Sequence, residues 1–104
     1  MLLVNTGYIA HKNIIETLGM VRGSTVQSKH VGRDIMAGLK SIVGGELRGY
    51  TELLEDARDE ALNRMVEEAE KLGADAIVNI RFVTSSIAAT ASEILVFGTA
   101  VKIE

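Results

Sequence analysis

The sequence predicts an α+β fold, a two-layer subunit in which an antiparallel sheet carries two helices on one face. Three observations predict it. Residues 14–26 are rich in β-branched side chains with polar and small ones between them. Residues 31–72 change to apolar spacings of three and four, the period of a helix. The segments 75–83 and 93–103 return to dense β-branched and aromatic residues. The order is therefore strand, helix, helix, strand, strand. At 104 residues, this is a single α+β domain over 1–104, with no repeat and no proline-rich linker.

Each element has its own signal. Met1–Val4 is apolar and ends at the turn signal Asn5-Thr6-Gly7, so it reads as a short extra strand or a loose terminus. In the first long strand, Ile14–Val26, Gly19 and Gly23 mark bulges or close backbone approach. Val31, Ile35, Leu39, Ile42 and Val43 draw one face of a first helix over Val31–Val43, which Gly44-Gly45 ends. Gly38 inside that helix reads as a point of tight packing. A second helix runs from about Gly49 to Leu72. Leu54, Ala57, Ala61, Met65, Ala69 and Leu72 form its stripe, and Gly73 supplies the left-handed position after it. Glu60–Arg64 and Glu67–Lys71 support it as i,i+4 pairs. Asp75–Val83 and Glu93–Ile103 are the closing strands, and the small polar run Thr84–Ser92 reads as the loop between them.

Composition excludes several classes of function. Eleven Lys and Arg stand against fourteen Asp and Glu, a net charge of −3, which is a poor basis for non-specific nucleic-acid binding. Between residues 46 and 75 there are ten acids and four bases, and elsewhere four acids and seven bases. The second helix thus presents an acidic, solvated face. There is no cysteine, hence no disulfide, zinc–thiolate cluster, iron–sulfur site or thiol nucleophile. The longest uncharged run, Phe82–Ser92, falls far short of the roughly 20 apolar residues of a spanning helix. Met1–Val4 is too short for the apolar core of a signal peptide, so the expected location is cytoplasmic, away from the membrane.

The last strand implies an assembly. Ile94, Val96, Gly98 and Ala100 point one way, and Leu95, Phe97, Thr99 and Val101 the other. Both faces are largely apolar, whereas two helices cover only one. A second copy of the chain is the simplest cover for the other, and a closed ring would also remove the sheet edges. Gly98, mid-strand among apolar residues, predicts a backbone or bulky side chain lying against it.

These residues also resemble a known family. Arg33-Asp34, Ala37-Gly38, Ile42-Val43-Gly44-Gly45, Tyr50, Arg58 and Ala61 are similar, in order and spacing, to the YbjQ-like family of small prokaryotic proteins. Leu72-Gly73-Ala74-Asp75-Ala76-Ile77-Val78 and Gly98-Thr99-Ala100-Val101 resemble its two other signatures. The resemblance spans about Thr17 to Ile103. It implies a dodecin-like α+β subunit assembled as a ring, most often a pentamer, in a family whose members are labelled uncharacterised or heavy-metal-binding. The chain departs at Asn79, where glycine is common, and at Thr84-Ser85, where a Tyr-Glu pair is frequent.

Candidate chemistry is sparse. His11, His30 and Asp34 are the metal-ligand candidates; with the helix beginning by His30, an i,i+4 spacing puts His30 and Asp34 on one face. Two ligands do not close a zinc site, and soft metals prefer sulfur donors, so no metal or other cofactor is expected. Gly44-Gly45 lacks the Gly-Lys-Ser/Thr of a phosphate loop and reads as helix termination. Lys29, His30 and Arg33 could hold an anion at a helix N-terminus, or form a solvated basic corner. No nucleophile elbow or catalytic triad pattern is present. Arg33, Tyr50 and Arg58 are the ligand-binding candidates. The expected function is a non-catalytic, homo-oligomeric ligand-binding or scaffold ring. The alternatives are heavy-metal binding or an enzyme site between subunits around those three residues.

Overall fold

The computed structural model describes residues 1–28, 48–89 and 91–104. The first expected helix, with Gly38 and Gly44-Gly45, lies outside the described residues, as do His30, Arg33 and Asp34. The described elements are β1 (Leu2–Leu3), β2 (Ile14–Ser28), α1 (Arg48–Lys71), β3 (Ala76–Ala88) and β4 (Ala91–Ile103). They form one four-stranded sheet in the order β1-β3-β4-β2, with α1 on one face.

Two expectations are corrected. The sheet is mixed rather than antiparallel, because β1 runs parallel to β3, with Leu2 opposite Ala76 and Leu3 opposite Ile77. Val4 N donates to Ile77 O at 3.0 Å and Asn79 N to Thr6 O at 2.8 Å, so the N-terminal segment satisfies the β3 edge as far as Ile80. The expected loop Thr84–Ser92 is mostly strand. Ser85 pairs with Glu93, Ser86 with Ser92 and Ala88 with Ala91, which makes a long hairpin with a tight tip. Polarity and small size suggested a loop, but the run holds no Gly or Pro to break a ladder. β2 also supports β4 on its other side as far as Ser28–Ala91.

The core lies between α1 and the sheet. Ala57, Ala61, Met65 and Ala69 pack on Val21, Ile77, Ile80, Ile94, Val96 and Ala100. The alanines let the helix sit low, and Gly23 is where it touches β2. A Cβ there would stand 2.6 Å from the Met65 nitrogen. The buried Thr25 hydroxyl donates to Ala57 O at 3.2 Å, a polar tie between the two layers. The helix ends in a Schellman motif: Gly73 has φ +76°, its N–H donates to Glu70 O at 3.0 Å, and Ala74 N–H donates to Ala69 O at 3.1 Å.

Four register shifts interrupt the pairing, and two of them carry a residue with positive φ. Pairing of β3 with β4 shifts between Val78 and Arg81, where Asn79 has φ 55°. Pairing of β2 with β4 shifts between Thr17 and Gly19, where Gly19 has φ +136°. Asparagine is one of the few non-glycine residues that enter the left-handed region readily, which suits Asn79 to this bulge.

Candidate functional site: the uncovered face of the sheet

The sheet face opposite α1 is built by strict alternation. Val21, Gly23 and Thr25 are buried beneath the helix, so Met20, Arg22, Ser24 and Val26 face the other way. Register then aligns rows across three strands. Met20 and Val78 flank Thr99, Arg22 and Arg81 flank Phe97, Ser24 and Val83 flank Leu95, and Val26 and Ser85 flank Glu93.

One end of this face is closed by the chain itself. Ala76, Val78 and Val101 are buried against Val4, Ile9 and Ile103, so the N-terminal segment acts as a partial cover. The N-terminal segment thus covers part of the face for which a second copy of the chain was the expected cover. The rest is open: Met20 is 70% exposed, Val26 58% and Val83 44%. Arg81 stands at the boundary. Its Nη1 donates to Asn5 O at 2.7 Å and to Ile80 O at 2.9 Å, pinning the N-terminal segment beside the bulge. Arg22 and Arg81 stand on either side of Phe97 in one row of this face, between rows that mix apolar residues with Ser24, Ser85, Glu93 and Thr99. Neither arginine stood out in the sequence; the usable signal was an Arg at an outward position of each of two strands.

The described residues hold only part of the sequence-derived candidate set. Arg58 is exposed on α1. Tyr50 lies in the first turn of α1, eight residues before Arg58 and about 80° away around the helix. Arg33 lies outside the described residues. His11 is exposed on the N-terminal segment with φ 62°. No group of three His, Cys, Asp or Glu side chains able to hold a metal occurs among the described residues. With no cysteine in the chain, that donor set does not fit a closed heavy-metal site. The described helix is not long and apolar enough to cross a membrane.

Fold and face together define a class: a small α+β protein with one acidic helical layer and an apolar sheet face open at one end. The chain belongs to the YbjQ family, whose model, described as "Putative heavy-metal-binding", matches residues 1–104. It is 64% identical to a UPF0145 protein of Hahella chejuensis over the full length of both chains. It is 62% identical to a UPF0145 protein of Methanosarcina acetivorans, covering 99% of this chain and 97% of that one. The fold is similar to the crystal structure of a protein of unknown function from Pediococcus pentosaceus, assigned to the DUF74 family. That likeness has a TM-score of 0.69 at 17% identity, over 100% of this chain and 98% of that one.

Proposed function

We propose that this chain is the subunit of a cytoplasmic homo-oligomeric ring, a pentamer in the form the family resemblance implies, acting as a non-catalytic ligand-binding or scaffold protein. The observation that carries this reading is the open apolar face, with Met20, Val26 and Val83 exposed side by side with Phe97 and Leu95. Contiguous apolar surface of several hundred Å² is uncommon on a monomer and marks an interaction site. The acidic helix layer provides the solvated outside that such a ring needs. Light scattering and native mass spectrometry at micromolar concentration test it. The expected mass is a closed multiple of the 11.2 kDa subunit, and a stable monomer overturns the reading.

The family description favours a second reading, heavy-metal binding. Its ligands would have to come from outside the described residues or from several copies, because the described part of one subunit offers His11 as its one histidine.

A further inference from the structure

The two layers of the subunit differ in charge. Ten of the fourteen acids lie between residues 46 and 75, the stretch that holds α1, whereas the sheet face opposite α1 carries arginine. On that face Arg81, Phe97 and Arg22 form one row across β3, β4 and β2, and the rows on either side of it hold no acid. Glu93 is two rows further along β4, roughly 13 Å away and beyond the Debye length of about 8 Å at physiological salt. The two arginines are placed differently. Arg81 Nη1 donates to Asn5 O and Ile80 O, so its guanidinium is fixed at the margin of the face. Arg22 is exposed and makes no hydrogen bond or ion pair to a described residue, so its long side chain is free to turn over Phe97.

We propose that the face around Phe97 binds an amphipathic organic anion, a single carboxylate, sulfonate or phosphate head on an apolar body, with the head on Arg22 and the body on Phe97, Met20 and Val83. This rests on the ligand-binding half of the reading above and names the chemical class of the ligand.

Each half of such a ligand answers a part of the face. Met20 is 70% exposed and Val83 44%, with Phe97 half-buried between their strands, and covering that apolar surface is favourable. A neutral apolar ligand would cover it too, but would press hydrocarbon against a guanidinium and strip it of water. An anionic head replaces that water with a charge-assisted hydrogen bond, and the planar fork of arginine holds a carboxylate or phosphate at two points. Arg81 adds a second, fixed positive charge at the margin of the same row. An inorganic anion would meet these charges but leave the apolar surface wet. The acidic helix layer repels an anion from the opposite side of the subunit, which directs it to this one. The N-terminal segment, with Val4 and Ile9 packed on Val78 and Val101, bounds the face at one end.

The chain has no tryptophan, so fluorescent probes report on it without interference. Anilinonaphthalene sulfonate and its uncharged parent, phenylnaphthylamine, share one apolar body and differ by the anionic head. Titrated into the full chain, the sulfonate should bind at least about tenfold more tightly than the parent, the size of one charge-assisted hydrogen bond. Arg22→Gln should remove most of that preference and leave the affinity of the parent unchanged. Arg81→Gln, which removes only the charge at the margin, should reduce the preference by less. Circular dichroism and light scattering check that each variant keeps its fold and its mass. Equal binding of the two probes, or a preference that survives Arg22→Gln, overturns the proposal and leaves the ring reading standing. Binding of neither probe also overturns it, the face then being occupied by protein. An Arg22-dependent preference in a protein that scatters as a monomer supports the proposal and overturns the ring reading.

Discussion

A Cβ built on Gly23 would meet the Met65 nitrogen at 2.6 Å and Arg64 Cβ at 3.0 Å, with the Ala61 carbonyl oxygen closer still. One on Gly98 would meet Ile77 Cγ2 at 2.7 Å and Val78 O at 3.0 Å. Gly98 was legible as a point of close approach and Gly23 as a bulge or a close approach; what they approach was not, because it depends on where the helix and the β3 bulge fall. Gly98→Val should cost about 1–3 kcal/mol as overpacking, read as a lower urea midpoint. Gly23→Ala should cost at least as much, because backbone rather than a movable side chain stands in the way. Asn79 gives the opposite case. Its φ of 55° suits glycine, so Asn79→Gly should leave the melting temperature nearly unchanged, whereas Asn79→Val should lose about 1–2 kcal/mol. The metal reading also meets its test at this scale. His11 is exposed and belongs to no three-ligand group among the described residues. Calorimetric titration of chelator-treated protein with zinc, copper and nickel should therefore show no submicromolar site. Tight binding abolished by His11→Ala or His30→Ala would establish the heavy-metal reading instead.

Periodicity served the helix well and the hairpin poorly. Of the six residues expected on one stripe, Ala57, Ala61, Met65 and Ala69 are buried, Leu54 is half-buried, and Leu72 is exposed past the helix end. That stripe is set by the 3.6-residue repeat alone, so tertiary packing had nothing to override. The tip of the hairpin depends on partners. Thr84–Ala88 has no apolar alternation of its own and extends because β4 pairs with it while β2 holds β4. Likewise β1 is two residues long and exists only because Asp75–Ile77 offers it a parallel edge. Such non-local pairings leave little trace in local pattern. The consequence for α1 is a graded sensitivity along its length. Met65, fully buried and the largest such side chain, should lose about 2–5 kcal/mol on change to alanine. Leu72, just past the helix end and exposed, should lose under about 1 kcal/mol. Denaturant melts at one fixed protein concentration compare the two, since association would otherwise shift both midpoints. Equal losses would mean that the helix end is buried by a partner.

At the scale of the whole molecule, the sequence shows that the sheet has two apolar faces, and the structure shows how much of the second one the subunit covers by itself. Val4 and Ile9 close the end around Val78 and Val101, which leaves the region of Met20, Val26, Leu95 and Phe97 open. This division makes self-association separable from folding. Met20 and Val26 are exposed in the single subunit, so a charge there costs the subunit fold little, within about 0.5 kcal/mol for a surface site. In an assembly that buries the face, the same charge would be desolvated without a partner, at a cost of several kcal/mol per site. Met20→Glu with Val26→Glu should therefore shift the scattering mass towards the 11.2 kDa subunit while the far-ultraviolet circular dichroism stays native. Two arginines complicate the choice of charge: Arg22 lies between these two positions on the same face, and a single glutamate beside it could form an ion pair. Lysine variants test the opposite sign: Met20→Lys adds to the charge of Arg22 and Arg81, while Val26→Lys stands opposite Glu93. If the glutamate pair and the lysine pair both dissociate the assembly, burial of the face is the cause. If only the lysine pair does so, the face is held by its charge pattern. If neither changes the mass, the copies meet through some other surface and this face is free for a ligand.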